Sequence, residues 1–388
     1  MLQLGKVKTR VLIVSRLVPD PTNGSAIHTE DLIRYLRQSR CEVHYLALSP
    51  VDPDCLARSS ADTVYFPERT GYVPTEFDAA AGEWEGRAME KACRQAMPSV
   101  VIADYSWMGA LFDGAYFKEN PSVKRIVFVH DLRVRILPSL VKMGLIRPEQ
   151  NRWTPDREGR LLAKAEVLLT LNDEDRQAAQ AMAPQARILK IGLSASPHYV
   201  DPAAVVPGRC IYVASAAPEN LFAAMWLLKY VWPRVLAAHP AASLSICGTV
   251  CDLLKQVIGS DNAWLGSVGN LNVVLEGRRD DLDACYAAAP IALVPHWMMG
   301  GLKIKHVEAI ARGLAVVCTP AGADGLPQAV GYSALAAEMP AEFADHLINL
   351  MKDPDLLART RENSRNLGLK MTPAAAYQEV GDYLREAQ

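Results

Sequence analysis

The sequence has no CxxC pair, and its eight cysteines are scattered at Cys41, Cys55, Cys93, Cys210, Cys247, Cys251, Cys285 and Cys318. Cys247 and Cys251 lie four apart with no second ligand pair nearby, which argues against a structural zinc. Several of these thiols fall inside apolar runs, where free cysteine behaves as a small hydrophobe. Charge of either sign is scarcely in excess: 41 Lys and Arg against 43 Asp and Glu leave a net charge of -2, unlike a dedicated nucleic-acid binder. Neither GxGxxG nor a Walker A sequence occurs. The N-terminal MLQLGKVKTRVLIVS is basic and then briefly apolar, without the long apolar core and small-residue cleavage site of a signal peptide. The longest uncharged run, Ala284 to Leu302, could span a bilayer by length, but Pro290, Pro295, His296 and the Gly300-Gly301 pair interrupt it. It reads as helix end, strand and loop. Together these absences predict a cytoplasmic protein with reduced thiols.

What is present points to two α/β domains. The chain has 388 residues, 50% hydrophobic and 22% charged, enough for two cores at about 150 residues per domain. Runs such as VLIVSRL (11–17), EVHYLAL (42–48), VVIAD (100–104), RIVFVHD (125–131), VLLTLN (167–172) and ILKIGL (188–193) alternate with amphipathic stretches such as 26–38. Strands apolar on both faces belong in a buried parallel sheet, and their alternation with helices implies βαβ units. Residues 194–209, with three prolines and no periodicity, read as a linker. The alternation then restarts at CIYVAS (210–215), continues through a helix from about 220 to 238, and runs on through SLSICG, VVLEG, IALVPH and AVVCT. The expectation is two doubly wound, Rossmann-like domains, 1–200 and 201–370. A C-terminal helical segment over 371–388, broken at Thr372-Pro373, is expected to pack back on the first domain. Residues 51–98, where acidic and aromatic residues mix without a period, read as an insertion on that first domain.

Four segments carry candidate chemistry. In PDPTNGSAIHTE, Gly24 permits a tight turn and Ser25 can cap a helix whose N-terminus would suit an anion; an ordinary βα turn would look the same. His130 and Asp131 stand at a strand end, where ligands of parallel sheets gather and both side chains can bond a sugar hydroxyl; a pair capping the next segment is equally compatible. IALVPHWMMGGLKIKHVEAIARGLAVVCTPAGADGL (291–326) reads strand, loop, Gly-Gly, helix, strand and Gly-rich turn. Its helix should start near Leu302 and stop at Gly313. Lys303 and Lys305 at that N-terminus oppose the helix dipole, a sign that a bound diphosphate would reverse. Glu308 is then placed for a ribose diol, with a surface Lys305–Glu308 ion pair as the plainer alternative. Finally, RVRILPSLVKMGLIR (133–147) carries Arg133, Arg135, Lys142 and Arg147 and no acid. It could face anionic lipid or a lipid-phosphate acceptor at the inner face of the membrane, or pack as an amphipathic helix on its own domain.

The pattern G-G-L-K-I-K-x-V-E-A-x-x-x-G followed by V-V-C-T-P-x-G-x-x-G-L resembles the donor-site segment of retaining nucleotide-sugar glycosyltransferases of the GT-B fold, the group 1 or family 4-like enzymes. EVLLTLNDEDR, the Pro218-Glu219-Asn220 helix start and NVVLEGRRDDLDACYAAA fall in the expected order, so the resemblance covers most of the chain. It implies two Rossmann-like domains facing across a cleft, the first for the acceptor and the second for the donor. It further implies a hexosyltransferase-like enzyme acting in cell-surface polysaccharide or glycoconjugate biosynthesis. The donor would be a nucleoside-diphosphate sugar and the acceptor a glycan or lipid-linked glycan, with anomeric configuration retained. By resemblance His130 touches the donor sugar, Lys305 the diphosphate and Glu308 the ribose. Gly24, Ser25, Ser215, Asn220, Arg278, His296, Gly300, Gly301 and Lys303 complete the donor site. Two positions depart from the pattern. Gly300 stands where many relatives carry a first glutamate, and SAAPEN (215–220) lacks their basic pair, which leaves Lys303 to meet the phosphate charge. No cofactor, metal or nucleic acid is implied: no Asp-x-Asp is read as a metal pair at a strand end, and Asp52 and Asp54, which form one, lie in a loop after the second strand. Two other readings stay open: a sugar-nucleotide 2-epimerase-like enzyme, and a non-catalytic nucleotide-sugar-binding protein with a decayed site.

Overall fold

The computed structural model describes residues 8–17, 24–49, 58–67, 79–195, 197–260, 271–279 and 281–386. The chain forms two compact units: Met1–Arg135 with Arg152–Leu193 and Ala376–Gln388, and Ile136–Asn151 with Ser194–Ala375.

The first unit is built on seven parallel strands: β1 (Arg10–Ser15), β2 (Glu42–Ala47), β3 (Thr63–Tyr65), β4 (Val100–Asp104), β5 (Lys124–Val129), β6 (Val167–Thr170) and β7 (Arg187–Lys190). Their spatial order is β3-β2-β1-β4-β5-β6-β7, so the winding reverses between β1 and β4. Val11, Leu12, Ile13 and Val14 are fully buried because helices cover both faces of the sheet, which is why β1 is a continuous apolar run. The helix Gly24–Gln38 lays Leu32, Ile33 and Leu36 against the sheet. Part of the stretch read as an insertion is integral: β3 pairs with β2, and the helix Glu83–Ala96 buries Met89, Ala92 and Cys93. Asp52 and Asp54 lie outside the described residues. The C-terminal segment, helical over Pro373–Ala376 and Gln378–Glu386, adds Tyr377 to the first unit's core, where its hydroxyl donates to Asp31 at 2.8 Å.

The second unit repeats the scheme with β8 (Arg209–Val213), β9 (Ser243–Cys247), β10 (Val273–Gly277), β11 (Ile291–Val294), β12 (Ala315–Cys318) and β13 (Ala334–Ala336). The order is β10-β9-β8-β11-β12-β13, all parallel, with the reversal between β8 and β11. Among the described residues one helix, Pro218–Ala238, is long and apolar enough to cross a membrane. It buries Ala223, Ala224, Leu227, Val231 and Trp232 in this unit's core, where the indole N–H of Trp232 donates to the Leu271 carbonyl at 2.6 Å. The stretch read as a linker is stitched to this unit by backbone bonds: Ala195 N–H to Met371, His198 N–H to Ala311 and Val200 N–H to Arg312. Residues Ile136–Asn151, read from sequence as part of the first domain, cluster with the second unit; the Ser139 hydroxyl there accepts the Met299 N–H at 3.3 Å.

Candidate functional site

In doubly wound sheets the loops at the carboxyl ends of the strands flanking the reversal leave room for a ligand. In the second unit those loops follow β8 and β11. The β8 loop leads through Ser215, which is exposed, to Asn220 in the first turn of its helix. The Asn220 amide donates to the carbonyl and hydroxyl oxygens of Ser215, both at 3.2 Å, and its oxygen accepts from Lys305 Nζ at 2.8 Å. The β11 loop carries His296, whose backbone is pinned at both ends. Its N–H donates to Thr319 Oγ1 at 2.9 Å, and its carbonyl accepts the Thr319 hydroxyl.

Gly300 and Gly301 follow with φ of +94° and +66°, values that disfavour a side chain. Their turn is tied by Asp324, which accepts the Gly300 N–H at 2.6 Å, and by Lys303, whose ammonium reaches the Gly300 carbonyl at 2.5 Å. The following helix runs Ile304–Ala311, two residues later than its expected start, with Lys303 at the N-cap. Gly313, at φ +66°, follows its end.

The electrostatics of this cluster are unusual. Lys305 has an amide oxygen at 2.8 Å and the Tyr212 ring face at 4.9 Å as its contacts. Burial pushes its pKa down to about 7; Glu219 opposes the shift and Lys303 deepens it. His296 is 5% exposed, and neither ring nitrogen has a hydrogen-bond partner among the described residues. Its pKa falls well below the ordinary value through burial, then through the charges of Lys303 and Lys305. Two lysines, a neutral imidazole and an uncapped helix start thus converge where an anion would satisfy all of them.

Glu308, one turn on, does not pair with Lys305. It forms a close ion pair with Arg312, which also holds Asp283 at 2.6 Å and lies 4.4 Å over the Tyr286 ring. The surface pair expected as the plainer alternative is therefore replaced by an i,i+4 pair with a buried arginine that sequence reading missed. Arg278 is exposed in the turn after Gly277. Among the described residues no three His, Cys, Asp or Glu side chains gather where they could hold a metal ion.

The first unit has its own cluster at the ends of β1, β4 and β5. Gly24 opens the helix Gly24–Gln38, and Ser25 Oγ accepts from the Tyr105 hydroxyl at 2.5 Å. His130 is 3% exposed and sits 3.4 Å from Asp104. The basic stretch 133–147 does not present one face. Its helix ends at Lys142, and two of its arginines, Arg133 and Arg135, are used inside the first unit. Arg133 lies 4.9 Å over the Trp107 ring, and Arg135 binds Asp175, which is fully buried. Lys142 and Arg147 are 82% and 77% exposed, beside Glu338 and Glu149.

With this geometry in place, the comparisons are consistent with it. The architecture of two parallel sheets is that of GT-B glycosyltransferases. Sucrose-phosphate synthase from Thermosynechococcus elongatus aligns with a TM-score of 0.74 at 15% identity, over 98% of this chain and 99% of that one. The pneumococcal O-GlcNAc transferase GtfA, solved with UDP and GlcNAc, gives 0.74 at 11% identity over 98% and 99%. Anabaena HepE, solved with UDP-glucose, gives 0.69 at 12% over 97% and 99%. More particularly, residues 207–353, within the second unit, match the family model of glycosyl transferases group 1. A Klebsiella pneumoniae relative, described as an uncharacterized 44.6 kDa protein in the cps region, is 28% identical over 140 residues. That match spans 35% of this chain and 35% of the relative.

Proposed function

We propose that the protein transfers a sugar from a nucleoside-diphosphate sugar to a glycan or lipid-linked acceptor during cell-surface polysaccharide assembly, with retention of configuration. The observation that carries this reading is that His296, whose ring nitrogens have no hydrogen-bond partner among the described residues, lies within the field of Lys303, which reaches the Gly300 carbonyl, and of Lys305, which rests on Asn220, inside the segment that matches group 1 glycosyltransferases. A glycosidic bond to a diphosphate breaks with charge developing on the leaving oxygen, and preorganised cations and N–H groups stabilise that charge. Glu308, steadied by Arg312, takes the ribose hydroxyls. UDP is the favoured nucleotide because structural neighbours were solved with it. The cps-region relative supports the polysaccharide role. The enzyme works in the cytoplasm, at the inner membrane face, where the exposed Lys142 and Arg147 meet anionic lipid in exchange for their surface partners Glu338 and Glu149.

Thermal unfolding in the presence of UDP, GDP, ADP, TDP or CMP tests the donor. A ligand of the folded state raises the melting temperature by mass action, so UDP should raise it by several degrees and the others by less. Release of UDP from a UDP-sugar together with labelled product then establishes transfer and excludes an epimerase, which forms no free nucleotide. A melting temperature indifferent to all five nucleotides contradicts the reading.

A pH dependence follows from Lys305. Its folded pKa of about 7 lies below the ordinary 10.5, so between these values the unfolded chain binds the extra proton and stability rises with pH. A bound diphosphate favours the ammonium, so binding above pH 7 takes up a proton. Calorimetric affinity for UDP should fall from pH 7.5 to 9 by up to about tenfold per unit. An affinity flat across that range would assign the proton elsewhere.

A further inference from the structure

His130 sits in surroundings that determine which ring nitrogen carries the proton. Its ring stacks on Phe128 at 3.8 Å between centroids and lies 4.6 Å from that of Tyr105. Nε2 lies 3.4 Å from Asp104 Oδ1, a buried oxygen that makes no hydrogen bond among the described residues, and 3.5 Å from Thr29 Oγ1. The Thr29 hydroxyl has one proton and two nearer acceptors, the Ser25 carbonyl at 3.1 Å and Asp104 Oδ2 at 3.2 Å. Toward Nε2 it therefore turns a lone pair, as does the fully buried Asp104 carboxylate. With acceptors on that side only, Nε2 must be the donor. In the neutral ring this leaves Nδ1 as a bare acceptor, and Nδ1 is buried without a hydrogen-bond partner among the described residues. An unmet buried acceptor is costly, and such costs persist where a ligand relieves them. The adjoining backbone is also under strain: Tyr105, bulky and next to Asp104, holds φ at +69°.

We propose that Asp104 and Thr29 are positioning residues that lock His130 in its Nε2–H tautomer, so that Nδ1 accepts a hydrogen bond from a ligand hydroxyl. That this hydroxyl belongs to a sugar rests on the proposed function; the tautomer does not. The positioning logic is that of a carboxylate orienting a histidine so that its other nitrogen meets the reacting molecule. Asp104 ends β4 and Thr29 lies in the helix after β1, so the reversal between β1 and β4 brings the two together.

The test is nitrogen-15 NMR of the full chain at pH 7.5, with the His130 ring signals assigned by their loss in His130→Gln. The expected spectrum has the proton on Nε2 and a bare Nδ1. A ring protonated on Nδ1, or on both nitrogens, overturns the proposal. In Asp104→Asn the side-chain amide can donate to Nε2, so an Nδ1–H population should appear. For sugar transfer kcat should fall about tenfold, the worth of one neutral hydrogen bond, with the donor KM changed less than about threefold. Adding Asp104→Asn to His130→Gln should cost nothing more. An unchanged tautomer in a folded Asp104→Asn protein, or a further loss in the double variant, also overturns it. If no nucleotide sugar is turned over, the function is wrong, while the wild-type spectrum still decides the tautomer.

Discussion

Lys305→Ala should lower turnover of the nucleotide sugar at least about 100-fold, because one lost contact to a developing oxyanion costs a few kcal/mol. The size follows from where the lysine sits. A lysine in bulk water contributes little, since solvent screens it. Lys305 instead lies between the Asn220 amide and the Tyr212 ring, where burial has already drawn its pKa down to about 7. A group so poorly solvated loses little further hydration when a phosphate arrives. Removing it also leaves the Asn220 oxygen without its donor. Lys305→Arg would not restore the rate, because a planar fork does not fit a site shaped for a point charge. Steady-state rates settle the matter: a loss smaller than about fivefold in kcat/KM would mean that Lys305 acts only on folding.

Gly322→Ala should be strongly destabilising to the second unit. A Cβ there would come 2.1 Å from the Val294 carbonyl oxygen and 3.2 Å from the Cys318 side chain, so backbone must move. The segment has no slack. The Gly322 N–H donates to Thr319 Oγ1 at 3.2 Å, the Gly322 carbonyl lies 3.1 Å from His306 Nδ1, and Thr319 in turn pins both backbone ends of His296. The expected loss is about 3 kcal/mol, or a melting temperature lowered by about 10 °C for a unit of this size. Gly259→Ala is the control, because a Cβ at Gly259 meets nothing within 4 Å. A Gly322→Ala protein melting with the control would contradict the packing described for the Thr319–His296 link.

The strands were legible because a parallel sheet covered on both faces demands unbroken runs such as VLIV and ALV. β3 and β13 were not: each has three residues, and only short, partly exposed sequence marks them. The candidate site could be read as one segment because Gly300, Gly301, Lys303, Lys305 and Glu308 are local in sequence. The Lys305–Glu308 pair weighed as the plainer alternative does not form, and the pairing of Glu308 with Arg312, at i,i+4 and the helix C-cap, was not considered. Asp104 and Thr29 went unread for a different reason. They are 75 residues apart, and only the adjacency of β1 and β4 joins them. The basic run at 133–147 suggested a surface, whereas Arg135 answers a buried carboxylate that lies 40 residues further along the chain.

The central claim is that the Gly300-Gly301 turn and its two lysines hold a diphosphate. A crystal structure of the protein with UDP tests it directly. The account predicts pyrophosphate oxygens within hydrogen-bond distance of Lys305 Nζ and of a His296 ring nitrogen. UDP bound elsewhere, with Lys305 still on Asn220 and His296 still unpartnered, would contradict it.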